Sequence, residues 1–210
     1  MKQYFLVTIL IFLLAVGMGF WWQKSRPELP TASPVESITK NMQIISSVFE
    51  NNQNILSKYT CDGDGVNPPL EFKDVPKEAV SLALIVDDPD APSFAKASPV
   101  AKAMEDKSED KPAGTWVHWT LWNIDPNTTS IGENSVPPKT IAGQTSSGQN
   151  IYGGPCPPSG THRYFFKLYA LDSKLSLSSF SLKEDLEKSM QGHIIQQAEL
   201  VGLYSRATGK

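Results

Sequence analysis

Three segments concentrate the side chains that could do chemistry. They are Asp87-Asp88-Pro89-Asp90-Ala91-Pro92, Trp116-Val117-His118-Trp119, and the stretch from Gly153 to Tyr164, which carries Cys156 and His162. An anion held in a partly dry site needs hydrogen-bond donors and a protonatable edge, because a buried charge is tolerated only when paired. His118 and His162 offer that edge. They can donate as neutral tautomers and attract more strongly as imidazolium, near a reference pKa of ~6.5. Asp88 can accept from one imidazole and hold its tautomer. Tyr164 follows His162 by two residues, which places both on one strand face and adds a phenolic donor. Gly154 allows a backbone N–H to approach a ligand oxygen closely. Taken singly, each has an ordinary explanation: a turn cap, a satisfied core histidine, an exposed strand start. Their combination points to a small anion pocket.

Strands must position these groups. The apolar, β-branched run at 80–87 reads as a buried strand that delivers the acidic turn. Residues 116–124 are aromatic and β-prone, and 162–171 alternate with Arg163, Phe165 and Lys167 on one register and Tyr164, Phe166 and Leu168 on the other. Residues 42–49 are a further strand candidate. Sixteen prolines and fourteen glycines punctuate these runs, which predicts a mostly β fold with long loops. Near the C-terminus, Ser181 followed by Glu184 forms a capping-box pattern. Leu182, Leu186, Met190 and Ile194 then recur at every fourth position, predicting an amphipathic helix over 181–200 packed on the sheet. His193 beside that stripe reads as structural.

The first 22 residues stand apart. Phe5 to Trp22 carries no charge and ends in Trp21-Trp22 before Lys24 and Arg26. Eighteen apolar residues just reach across a ~30 Å hydrocarbon core. This predicts a signal anchor, with a cleaved signal peptide as the rival reading. The globular domain is then expected outside the cytoplasm, membrane-anchored, or secreted or periplasmic after cleavage. Residues 23–40 are rich in Pro, Ser and Thr and read as a linker, leaving 41–210 as the domain. Without residues 1–30 the chain has 16 basic and 21 acidic residues, a net of −5. With no basic patch, nucleic acid is a poor partner. Cys61 and Cys156 are either a disulfide of an exported domain or two buried free thiols, and sequence leaves both open. The charged stretch 93–113 reads as a solvated loop, or alternatively as a flap over the pocket mouth.

In order along the chain stand Tyr59-Thr60-Cys61-Asp62-Gly63, Pro68-Pro69-Leu70, the Asp88-to-Pro92 turn, Trp116-Val117-His118-Trp119, Asn123-Ile124, Gly154 through Tyr164, Gly192-His193-Ile194 and Ala198-Glu199-Leu200. This series resembles the phosphatidylethanolamine-binding protein family, in its bacterial and archaeal Raf-kinase-inhibitor-like branch, over nearly all of residues 40–206. The resemblance implies an antiparallel, Greek-key β-sheet domain. It assigns Asp88, His118, Gly154, His162 and Tyr164 to a site for phosphate, acetate or a phospholipid head group, with Asp90 and Trp116 at its edge. It implies no cofactor and no metal, and a binding or regulatory protein rather than an enzyme. Family members act on kinase cascades or inhibit proteases, so a protein partner of either kind is conceivable, and the fold does not choose among them.

Three other chemistries compete. A hydrolase would recruit Ser146, Ser147 or Ser159 as nucleophile, although no Gly-x-Ser-x-Gly elbow is present. His118, His162 and Asp88 could together hold zinc or iron. A protease inhibitor would work through exposed loops such as 93–113.

Overall fold

The computed structural model describes residues 40–92 and 115–206. The expected signal anchor (1–22), all of the linker but Lys40, and the charged loop 93–113 lie outside the described residues. Among those described, no helix is long and apolar enough to cross a membrane.

Nine strands and one α-helix are described: β1 (Gln43–Ile45), β2 (Gln53–Asn54), β3 (Leu70–Lys73), β4 (Ser81–Asp88), β5 (Trp116–Ile124), β6 (Ser130–Ile131), β7 (Ile141–Ala142), β8 (Thr161–Leu171), α1 (Lys183–Met190) and β9 (Ile194–Ser205). They form a three-stranded sheet in the order β1-β3-β6 and a six-stranded sheet in the order β2-β9-β8-β4-β5-β7. Pairing is antiparallel throughout, except that β2 runs parallel to β9.

Strand β4 lies inside the larger sheet, and all eight of its residues are buried. Leu82, Leu84 and Val86 enter the main core with Trp119, Phe166 and Leu168. Ala83 and Ile85 face the other way, against Trp122, Leu171, Leu186 and Met190. Both faces are covered, which explains why β4 reads as a continuous apolar run. β8 has one face on the core, and its burial alternates accordingly.

The expected helix over 181–200 is corrected. Helix α1 spans only Lys183–Met190, and residues 194–205 are β9, paired with β8 along the whole length of that strand. A spacing of four residues is also even, so it keeps side chains on one face of a strand as well as of a helix. Gly192 at φ +79° ends the helical run in a conformation that favours glycine. Pairing along β8 then outweighs continued helix. Of the four stripe residues only Leu186 and Met190 are buried, whereas Leu182 and Ile194 are exposed. The cap also shifts by one residue, with Leu182 N–H donating to the Asp185 carboxylate at 3.0 Å. His193 bonds Asp172 through Nδ1 at 2.7 Å, at the surface. The candidate strand at 42–49 shortens to β1.

One interaction ties α1 to the sheet. Asp87, fully buried, receives Lys167 Nζ at 2.8 Å and Lys183 Nζ at 2.8 Å. Burial is the largest single influence and works against the Lys183 ammonium, but the bonds to Asp87 and Glu187 and their charges together outweigh it, and its pKa stands raised. Removing one member of such a group leaves charge without its partner in a dry setting. Asp87→Asn should therefore lower the unfolding free energy by about 3 kcal/mol, measured by chemical denaturation. A loss near zero would mean that the lysines find water instead.

Candidate functional site

Asp87 and Asp88 are consecutive on β4 and so point to opposite faces. Asp88, 3 % exposed, is turned toward a cavity of about 430 Å³. Its Oδ2 lies 2.7 Å from His162 Nδ1, and its Oδ1 accepts the backbone N–H of Asp90 at 2.8 Å. This turn is held in place from β8. Arg163 donates its backbone N–H and Nε to Asp90 Oδ2 at 3.0 and 2.8 Å, and an Nη to Oδ1 at 2.7 Å. The bonds to Arg163 keep the Asp90 carboxyl below the usual carboxylate range.

His118 owes its position to a break in the ladder. Val86 pairs with Trp119 and Asp87 pairs with Val117, so His118 is the extra residue of a β-bulge on β5. Bulges re-aim side chains beside sites. Here both Val117 and His118 line the cavity, while Trp119 stays in the core. The bulge also brings Trp116 opposite Asp88, where it lines the cavity as well. A reciprocal pair then clamps His118 to the neighbouring loop. Gly153 N–H donates to the His118 carbonyl at 2.8 Å, and His118 Nδ1 lies 2.7 Å from the Gly153 carbonyl. Burial pushes the His118 imidazole below its ordinary value, opposed by the bond to Gly153 and the charge of Asp88.

The second cavity wall is the Gly/Pro loop. Gly153, Gly154, Cys156, Pro157 and Pro158 line it, with Thr145 and Ser147 from the loop after β7. Cys61 and Cys156 form a disulfide with Cα atoms 5.4 Å apart, closing a separation of 95 residues. A loop of that size is stabilised by about 4–5 kcal/mol in chain-entropy terms. Cys61 N–H also donates to Pro155 O at 3.1 Å. Gly154 sits at this junction. A Cβ there would lie 3.0 Å from both Cα and C of Thr60 and 3.1 Å from Tyr59 O. Glycine is required by the approach of a second backbone, a reason distinct from the contact with a ligand that the sequence suggested.

Of the seven ligand-site residues read from sequence, Asp88, Trp116, His118, Gly154 and His162 line the cavity. Tyr164 and Asp90 do not. Tyr164 is 1 % exposed, set edge-on to His118 with ring centroids 5.2 Å apart, and its hydroxyl has no hydrogen-bond partner among the described residues. Burial pushes its phenol well above the ordinary range. Asp90 acts one step back, through Asp88. Sequence reasoning did not name Ala91, Pro92, Val117, Thr145, Ser147, Pro157 or Pro158 as lining residues. Ala91, Pro92, Val117, Pro157 and Pro158 were inside the motifs, Ser147 was considered only as a hydrolase nucleophile, and Thr145 carries no signal in sequence. Among the described residues, no three His, Cys, Asp or Glu side chains are placed to hold a metal ion.

A cavity at the ends of three sheet strands, walled by a cross-linked loop and edged by two anchored imidazoles, is the candidate site of a mostly β domain. The sequence profile described as phosphatidylethanolamine-binding protein matches residues 45–205, and the chain belongs to that family. A UPF0098 protein of Methanothermobacter thermautotrophicus is 43% identical over 170 residues, covering 79% of this chain and 99% of the relative. A second UPF0098 protein, from Pyrococcus abyssi, is 43% identical over 175 residues, covering 80% and 87%. Among solved structures, a phosphatidylethanolamine-binding protein homolog from Chlamydia trachomatis superposes with a TM-score of 0.68 at 38% identity, covering 80% of this chain and 99% of that one. YbcL of E. coli shares the fold, with a TM-score of 0.67 at 24% identity over 80% and 100% of the two chains. Members of this family bind ligands.

The packing at the Gly/Pro loop sets a test. Gly154→Ala pushes a methyl into fixed backbone and should cost about 1–3 kcal/mol of stability. Gly153→Ala, whose Cβ would meet only ordinary contacts at 3.6 and 3.8 Å, should be much milder. Thermal unfolding of the two variants decides, and equal losses would refute the close-approach account.

Proposed function

We propose that the domain is a non-enzymatic binding protein whose cavity takes a small phosphate- or carboxylate-bearing ligand, with His118 and His162 at the charged group. The observation that carries this reading is the pair of cavity-lining imidazoles, each anchored through Nδ1 and, among the described residues, neither bonded to a serine hydroxyl. Asp88 orients His162, and Asp90 orients Asp88. Trp116, Val117, Pro157 and Pro158 give the rest of the lining an apolar character suited to the organic part of such a ligand. A hydrolytic reading finds no nucleophile–base pair among the described residues. Ser146 Oγ accepts the Val117 N–H at 2.9 Å, and Ser147 Oγ lies 2.9 Å from Thr145 Oγ1. The apolar stretch 5–22 would tether the domain to a membrane on its outer side.

An NMR titration with inorganic phosphate and O-phosphoethanolamine tests the pocket. Saturable shifts at His118, His162 and Gly153 are expected in the wild type. His162→Gln should abolish them, since an amide can still donate to Asp88 but cannot take a proton. His162→Ala is the poorer variant, because it strips the buried Asp88 of its partner at a cost of about 1.5–3 kcal/mol. Absence of saturable shifts in folded wild type would end the proposal.

The pH dependence follows from His118. Its value is lowered from 6.5, so the folded, empty protein resists protonation that the unfolded chain accepts. Empty-state stability should fall as pH drops below about 6.5. A permanently charged anion such as sulfate favours the imidazolium, so its affinity should rise over the same interval. Isothermal titration between pH 5 and 8 would show this, and a flat profile would remove the histidines from the contact.

A further inference from the structure

The cavity wall formed by residues 153–160 has few hydrogen bonds to hold it. Pro155, Pro157 and Pro158 have no backbone N–H to donate. Among the described residues, hydrogen bonds tie this loop to other segments at two places only. Gly153 exchanges bonds with His118, and the Pro155 carbonyl accepts the Cys61 N–H at 3.1 Å. Beyond Pro155 the link to a second segment is covalent, the Cys61–Cys156 disulfide.

The segment on the other side of the bridge is fixed without it. Tyr59 and Thr60 are buried. Tyr59 Oη donates to Glu133 at 2.8 Å, and Thr60 Oγ1 donates to the Ser57 carbonyl at 2.8 Å. Opening the bridge therefore frees the loop and leaves residues 57–60 in place. Both half-cystines are exposed, and Cys156 also lines the cavity. Access of this kind is what lets a thiolate reach a disulfide sulfur. A bridge that holds a cavity wall is thus open to attack from solvent.

Resting on the proposed function, we infer that the Cys61–Cys156 bridge is a site of action for a dithiol reductant, and that its reduction loosens the cavity wall and releases the ligand. One thiolate of the reductant attacks a bridge sulfur, forms a mixed disulfide and expels the other protein cysteine as a thiolate. The second thiolate of the reductant then attacks the mixed disulfide and expels the remaining cysteine. Two electrons and two protons pass to the protein, which gains two thiols, while the reductant becomes a disulfide. The freed loop no longer holds the Gly153 carbonyl against His118 Nδ1. Ligand binding must then order the loop again, against its conformational entropy. Coupling of this kind is reciprocal, so a bound ligand makes the bridge harder to reduce by the same factor.

The test uses the full chain, dithiothreitol as the dithiol and inorganic phosphate as the ligand. In ¹H–¹⁵N spectra, reduction should move or broaden the signals of Gly153, Gly154 and His118 and leave those of Leu82 to Val86 in place. Isothermal titration should find phosphate at least about tenfold weaker in the reduced protein, within the usual range of coupling between sites. Reoxidation should restore the affinity. At a fixed ratio of reduced to oxidised dithiothreitol, saturating phosphate should shift the reduction equilibrium toward the bridge by that same factor, against a chloride control of equal ionic strength. A bridge that dithiothreitol opens only in denaturant would overturn the inference. So would loss of signal dispersion throughout the domain on reduction, since the bridge would then be a staple of the whole fold. Equal phosphate affinity in two folded forms would overturn the switch and leave the anion pocket standing. Failure of the oxidised protein to bind phosphate would overturn the pocket itself, and this inference with it.

Discussion

Two consecutive carboxylates buried on opposite faces of one inner strand are the constraint around which the rest is arranged. Asp87 and Asp88 end β4, one against the back of the sheet and one on the cavity wall, both almost fully buried, and an ionised group there must find partners. Asp87 draws Lys167 from β8 and Lys183 from α1, which fixes the short helix against the back of the sheet. Asp88 draws His162 from the start of β8 and the backbone of its own turn. The same two residues thus set the position of a helix on one side and of an imidazole on the other. Any rearrangement that frees one carboxylate moves the other, because they share a strand without an intervening residue.

The front of the sheet is organised by mismatch more than by regularity. An unbroken ladder would alternate Trp116 and His118 with Val117 and Trp119. The bulge at His118 instead lets Trp119 join the core while Trp116, Val117 and His118 all reach the cavity. The bulge is stabilised from the side, since the reciprocal bonds with Gly153 satisfy both the carbonyl and the ring of His118. That loop is secured by the Cys61–Cys156 disulfide and by the close packing of Gly154 on Thr60. Cavity shape and the orientation of the His118 ring therefore have a common origin in the loop from Gly153 to Pro158.

Much of this was legible in the chain. The strands at β4, β5 and β8 declare themselves by apolar runs and alternation, and the motif series places five of seven expected site residues on the cavity wall. The helix over 181–200 was misread because a four-residue spacing suits both a helix and a strand face. Only the free edge of β8, with its unpaired backbone groups, turned residues 194–205 into β9. Tyr164 was expected to donate to a ligand on the strength of sharing a face with His162. The structure places it one layer deeper, behind His118. Thr145 and Ser147 were invisible as lining residues because nothing local distinguishes a loop that folds over a site from one that does not.

Sequence alone determined which residue types are present, roughly where β4, β5 and β8 run, and that acid, imidazole and glycine recur in a pattern matching one family. These are properties of local periodicity and order along the chain, and they survive without knowledge of distant contacts. Tertiary structure alone decided what each histidine ring is anchored to, why Gly154 must be glycine, and that Cys61 meets Cys156 across 95 residues. Each of these depends on what lies across space: a carbonyl 35 residues away, a backbone from another loop, a cysteine on a distant segment. Hydrogen-bond direction is a property of pairs, and a pair exists only once the chain has folded.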